Sequence, residues 1–195
     1  VTKKAPRGTL PDWSLWPSAG RPEDHLPLIS VDPGEGTGIV LLTVPRGQIF
    51  EGWPYEGVNV VWYEEITGPE DEQADEIVEL CWAVRERYRG DFPLLLEDFS
   101  LRKFSRDAAL LTPVRLNAKI EYGVHLAADD WPGAVSVFKQ PAALAMSTIS
   151  DDRMKSYDLY AVGQKNARMA MAHALTFLRR ARESASLRKK AWEHD

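Results

Sequence analysis

The sequence predicts a mixed α/β sheet with helices on both faces. Three observations carry the prediction. Strand patterns come first and then alternate with helix patterns, in the order three strands, helix, strand, helix, strand, helix. The opening strands are two apolar runs joined by a glycine-rich turn, "LISVDPGEGTGIVLL" (28–42). A later segment, "FPLLLEDF" (92–99), is a short buried strand that ends in two acids.

Each element has a local reason. Residues 1–27 hold Pro6, Pro11, Pro17, Pro22 and Pro27 with Gly8 and Gly20, and read as an irregular arm that Trp13 and Trp16 would tack to the body. The first strand runs from Leu28 to Asp32, the turn from Pro33 to Gly38, and the second strand from Ile39 to Val44. Pro45, Arg46 and Gly47 have hairpin-turn chemistry, and "VNVVWYEEI" (58–66) is rich in β-branched and aromatic residues, as a third strand requires. Gly68 and Pro69 open a helix with Glu70, Asp71 and Glu72 at its start and Arg85, Arg87 and Arg89 near its end, matching the helix dipole. Its apolar face is Ile77, Leu80, Cys81 and Val84, and Gly90 stops it. "TPVRLNAKIEYGVHLA" (112–127) offers Thr112 as N-cap and Pro113 at the first helical position. "AVSVF" (134–138) is the next strand. One long helix covers 166–191, with Ala167, Ala170, Met171, Ala174, Leu175 and Leu178 as its stripe. The expected organisation is an arm at 1–27, a domain at 28–185 and a tail at 186–195.

Composition narrows the function classes. At 195 residues, 44% hydrophobic and 27% charged, the chain suits one globular domain with a real core. One cysteine, Cys81, excludes an internal disulfide framework, and with only four histidines a zinc centre has little to draw on. No apolar run approaches the ~20 residues of a membrane span, so a cytoplasmic protein with no membrane partner is expected. The charge is divided unevenly: residues 51–98 carry 14 acids and 3 bases, whereas residues 99–195 carry 16 bases and 10 acids. The C-terminal half can therefore present a basic face to nucleic acid, or a merely solvated helix surface.

Asp32 interrupts an apolar stretch, and an ionised carboxylate is costly to bury unless something pairs with it. Glu97 closes the strand "PLLLE", with Asp98 next to it. If the two strands are parallel neighbours, Asp32 and Glu97 emerge at the same sheet edge, where open α/β sheets place their ligands. Two adjacent carboxylates repel, and a hard divalent cation such as Mg²⁺ relieves that repulsion. Gly34, Gly36 and Gly38 would also let a phosphate approach the backbone. "DPGEGTG" alone is equally an ordinary hairpin loop; it is neither a P-loop nor a dinucleotide fingerprint.

"LISVDPGEGTGIVLL" resembles the first motif of RuvC-like Holliday-junction resolvases, which have the RNase H-like fold, and "LLLEDFSLR" resembles their second acidic motif. "KQPAALA" followed by "DDRMK" is similar to the phage-type members, as is "ARMAMAHALTFLRR" in the last helix. The resemblance covers roughly residues 28–182 in consistent order. It implies a metal-dependent, structure-selective DNA endonuclease, with Mg²⁺ (or Mn²⁺) held by Asp32 and Glu97, branched or duplex DNA as substrate, and a homodimer in the cytoplasm of a bacterial or phage-infected cell.

The last helix departs from that pattern. The family places one or two further carboxylates there, spaced as His/Asp-x-x-Asp, and this chain has Asn166 and Met169 at those positions. No acid occurs between Asp158 and Glu183. His173 remains one turn on, sharing a helix face with 166 and 169 or 170, and is a candidate for a catalytic or phosphate-contacting role. Two metal ions need ligands for both, and a thioether is a poor partner for Mg²⁺. The degenerate third motif therefore sets a nuclease of reduced or lost activity against a catalytically inactive fold that binds nucleic acid or a protein. An ATP-binding protein is a third reading, because actin-like ATPases share an Asp-x-Gly turn, but the chain is short for their two lobes. Arg102, Lys103 and Arg106, with Lys165 and Arg168, are the candidate nucleic-acid contacts, and "RRARESASLRKK" (179–190) is a further basic stretch. Asp98 and Asp158 are candidate spare ligands, Asp98 being disfavoured because consecutive strand residues face opposite ways. Trp62 and Trp82 read as core.

Overall fold

The computed structural model describes residues 21–47, 55, 57–99, 108–128 and 135–193. Trp13, Trp16, Arg102, Lys103 and Arg106 lie outside them. Five strands form one sheet: β1 (His25–Asp32), β2 (Gly36–Pro45), β3 (Asn59–Thr67), β4 (Phe92–Asp98) and β5 (Val135–Pro141). Their order is β3-β2-β1-β4-β5. The first three make an antiparallel meander, while β4 lies parallel to both β1 and β5. The predicted mixed sheet is therefore correct, and the parallel pairing follows from the crossover helices α1 (Glu70–Tyr88) and α2 (Ala108–Ala128).

Every residue from Leu26 to Val31 in β1 and from Thr37 to Val44 in β2 is buried. Successive strand residues point to opposite faces, so both faces of the central strands are covered. Helices α1 and α2 pack on each other, with α1 against β1 and α2 against β5. Helix α5 (Lys165–Glu183) lies across β1 and β2, with α3 (Ala142–Thr148) against it. All six residues of the predicted α5 stripe are buried. Cys81 is buried too, and burial pushes its thiol up to about 12, so it packs as a small apolar side chain. No helix among the described residues is long and apolar enough to cross a membrane.

Several boundaries differ from expectation for identifiable reasons. Residues 25–27 belong to β1 rather than to the arm. Arg46 does not close a tight hairpin: its N–H donates to Asp24 O (2.9 Å) and its side chain to Glu23 O (3.0 Å), and β3 begins only at Asn59. Arg89, at φ 48° and ψ 29°, caps α1 in the left-handed region, one residue before Gly90. Helix α2 starts at Ala108, placing Pro113 inside it. Ala108, Ala109, Leu110 and Leu111 are strong helix formers, which carry the helix back past the expected cap. Trp82 is 44% exposed on α1 rather than core, whereas Trp62 is buried.

The long C-terminal helix is two helices. Ser184 ends α5 with extended backbone (φ −129°, ψ 104°) and caps α6 (Ala185–Trp192), its hydroxyl accepting from Leu187 N–H at 3.3 Å. The break turns residues 185–192, most of the expected tail, back onto the body. Trp192 is buried, its Nε1–H donates to Pro27 O (3.0 Å), and its ring meets Phe177 edge-on. Helices α3 and α4 (Asp151–Ser156), the latter capped by Ser150, fall where the sequence reading placed no element.

Candidate functional site

The register of β1 and β4 decides the site. Val31 is level with Leu96 in the parallel pair, so the next residues, Asp32 and Glu97, leave neighbouring strands side by side. Their carboxyl groups are close enough to act on each other's ionisation. Burial raises the Asp32 pKa well above the carboxylate range, and the hydrogen bond and charge of Glu97 raise it further; Lys165 pulls the other way. Burial also acts upward on Glu97, but hydrogen bonds with His173 and Asp32 outweigh it and hold Glu97 below its usual value. Burial and the neighbouring charge thus favour the neutral form of Asp32, while its partners hold Glu97 toward the ionised form.

His173 comes to this pair from α5. Its Nε2 lies 3.4 Å from Glu97 Oε2, and the ring is completely buried. Gln140, at the end of β5 and 1% exposed, bridges from the far side. Its amide nitrogen is 3.1 Å from His173 Nδ1 and 3.2 Å from His173 O, and its carbonyl oxygen faces Arg180 Nη1 at 3.5 Å. From α2, the Asn117 side-chain amide donates to the Glu97 backbone carbonyl (2.9 Å), fixing the end of β4.

The first turn of α5 is held just as specifically. No side chain of its own segment caps it; instead Glu65, on β3, accepts from Asn166 N–H, satisfying one of the helix's orphan donors. The Asn166 side-chain amide donates to Gly36 O. A Cβ at Gly38 would fall inside the backbone of Asn166 and Ala167. Gly36 and Gly38 are thus accounted for by the approach of α5, rather than by an approaching phosphate.

The expected residues divide clearly. Asp32, Glu97 and His173 are brought together. Lys165 is exposed and close enough to Asp32 to act on it electrostatically. Arg168 is engaged within the chain, donating to Ala161 O (3.3 Å), 3.9 Å from Asp151 and over the Tyr160 ring. Met169 is half-buried, and Asp98 is exposed beside Glu97. Asp158 stands at φ 58° on an exposed turn, lining a cavity of about 320 Å³ with Tyr63 and Tyr160. Sequence reasoning missed Gln140, Glu65 and Arg180. Gln140 was visible only inside "KQPAALA", and Glu65 only as one of two consecutive acids in a strand.

Two adjacent carboxyl groups, one driven toward its neutral form by burial and by the other's charge, fit a single oxygen-preferring cation, which would relieve that repulsion. Among the described residues, no group of three or more His, Cys, Asp or Glu side chains is placed to hold an ion together. The donor set thus suits one ion and provides no acidic anchor on α5 for a second.

No family model matches the sequence, and no curated protein matches it. Solved structures that are similar include two of RuvC. One is T. thermophilus RuvC in complex with a Holliday junction substrate, at TM-score 0.57 and 16% identity, covering 82% of this chain and 97% of that one. The other is a Thermus thermophilus RuvC structure, at TM-score 0.55 and 16% identity, covering 86% and 99%. The fold is therefore the RNase H-like fold as RuvC has it, with five strands in the order β3-β2-β1-β4-β5.

Proposed function

We propose that this chain is a metal-dependent, structure-selective DNA endonuclease of the Holliday-junction resolvase type, slowed by its incomplete third acidic motif. The observation that carries the reading is the half-buried Asp32–Glu97 pair at neighbouring ends of the parallel strands β1 and β4, beneath α5. Asp32 and Glu97 would hold Mg²⁺ or Mn²⁺, and the ion supplies charge stabilisation to the phosphodiester under attack. His173 acts at the same site, through Glu97. Lys165 and Arg168 lie at the start of α5, and with Arg102, Lys103 and Arg106 they would contact phosphates. A homodimer would present two such sites to a branched substrate.

One observation favours a second reading, in which the fold binds nucleic acid or a protein partner without cleaving. Asn166 donates its amide to Gly36 O and brings no negative charge to the site, and Met169 brings none either. Losing one electrostatic element of an active site costs ~10²–10³ in rate, and losing an ion's anchor costs at least as much.

Four-way-junction cleavage in Mg²⁺ and in Mn²⁺ separates the two. Four proteins are compared: this chain, Met169→Asp, the Asn166→Asp/Met169→Asp double replacement, and Asp32→Asn as the blank. Slow cleavage abolished by Asp32→Asn and accelerated by Met169→Asp supports the nuclease. No cleavage by any of them, with junction binding retained, supports the binding module.

A further inference from the structure

The structure assigns Gln140 as a positioning residue that fixes His173 in its Nε2–H form, so that the imidazole braces Glu97 as a hydrogen-bond donor and is neither a metal ligand nor a general base. This deepens the reading of Asp32 and Glu97 as a cation site and rests on it.

The assignment comes from a chain of donors and acceptors that closes in only one way. The backbone carbonyl of His173 can only accept. The Gln140 side-chain atom 3.2 Å from it must therefore be the amide nitrogen, since an oxygen there would face an oxygen. The other end of the same amide faces Arg180 Nη1, which can only donate, so the oxygen belongs there. With the amide oriented from both ends, its nitrogen also points at His173 Nδ1 at 3.1 Å. An N–H facing Nδ1 requires a lone pair on that nitrogen. The ring proton is then on Nε2, which points at Glu97 Oε2.

Two consequences are chemical. Nε2 has no lone pair to offer a metal or a water, and Nδ1 is occupied by Gln140 inside a ring that solvent does not reach. What His173 can do is hold one Glu97 oxygen, leaving the other to face Asp32 or a cation. Groups that orient metal-binding side chains from behind are commonly worth 10–100-fold in metal affinity.

Long-range ¹⁵N–¹H spectra of the metal-free full chain at neutral pH read the tautomer directly. His173 should show a protonated Nε2 and an unprotonated Nδ1. Gln140→Leu should lose that preference. Gln140→Glu, which presents only acceptors, should move the proton to Nδ1. A wild-type ring protonated on Nδ1, or on both nitrogens, overturns the assignment, as does an unchanged pattern in Gln140→Glu. Mn²⁺ affinity, read by electron paramagnetic resonance, provides the second arm. His173→Leu should weaken it about 10-fold or more, and His173→Gln, which keeps an N–H donor, should recover most of it. Loss of the Nε2 proton on titration with diamagnetic Mg²⁺ would make His173 a ligand and overturn the proposal. Wild-type protein with the Nε2–H form but no Mn²⁺ binding would instead sink the cation site while leaving Gln140's role on the tautomer standing.

Discussion

Replacing Gly38 with alanine tests whether α5 is seated on the sheet as described. The added Cβ would land inside the carbonyl carbon and oxygen of Asn166 and the nitrogen of Ala167. These are helix backbone atoms, so no side chain can swing aside. Carbon contacts are optimal at about 3.5–4.0 Å, and the first turn of α5 would have to retreat by more than ~1 Å. Overpacking of this kind costs about 1–3 kcal/mol. The retreat also loosens the Asn166 bonds to Glu65 and Gly36 O, each worth about 0.5–1.5 kcal/mol. A net loss of about 3 kcal/mol lowers the melting temperature of a protein this size by roughly 6–12 °C. Circular-dichroism melts of the wild type, Gly38→Ala and Gly34→Ala make the comparison. Gly34 is the control, because a Cβ there meets only Gly36 O at 3.4 Å. A Gly38→Ala melt within 2 °C of Gly34→Ala would refute the close seating of α5.

Other expectations concern charge and packing. In metal-free protein Asp32 keeps its proton from its ordinary 3.8 up to about 9, so the folded state binds a proton that the unfolded chain releases, and stability falls as pH rises through that window. The slope is at most about 1.4 kcal/mol per pH unit. Glu97, shifted downward, acts only below its ordinary 4.5, outside most of that window. Asp32→Asn should therefore flatten the pH dependence of denaturant midpoints between pH 6 and 8 and stabilise the metal-free chain at pH 8; an unchanged slope would show that Asp32 is not the group responsible. Trp192→Ala should cost about 3–5 kcal/mol in urea unfolding, because the ring packs on Phe177 and its N–H satisfies Pro27 O; a loss below 1 kcal/mol would mean that α6 is not part of the core. Junction binding should weaken steeply with salt as phosphate contacts release counterions, and less steeply in Lys165→Glu; equal salt slopes would remove Lys165 from the interface.

Parts of the molecule that depend on short-range chemistry were legible in the sequence. The meander, the crossover helices and the α5 stripe follow from periodicity and turn residues, and Asp32 and Glu97 followed from acids placed at the ends of apolar runs. What the sequence did not disclose depends on contacts far apart in the chain. Glu65 caps a helix that begins 100 residues later, Gln140 orients a ring on another element, and Gly38 is small because α5 lies on it rather than for a ligand. The break at Ser184 was hidden because "RESASL" keeps helix-compatible residues on both sides. Only the serine's ability to cap the next turn, with Trp192 gaining a buried seat, favours two helices over one.

The same contacts decide how a third acid should be restored. Position 166 is poorly suited to a carboxylate. The Asn166 amide donates to Gly36 O, and an aspartate there would set acceptor against acceptor, with Glu65 already bonded to the same residue's N–H. A buried polar group left unsatisfied costs about 1–3 kcal/mol, and Glu65 adds like-charge repulsion. Position 169 carries no such duty: Met169 is half-buried, and helical spacing puts it on the face shared by 166 and 173. Met169→Asp alone should therefore bind Mn²⁺ more tightly than the wild type with little change in its melting temperature. Adding Asn166→Asp should destabilise the metal-free protein by several degrees, with part of the loss recovered when Mn²⁺ is present. Calorimetric titration and melts with and without the ion measure both effects. A double variant as stable as Met169→Asp in the absence of metal would show that the Asn166–Gly36 bond does not hold α5 in place, and that the missing acid has a cause other than the seating of this helix.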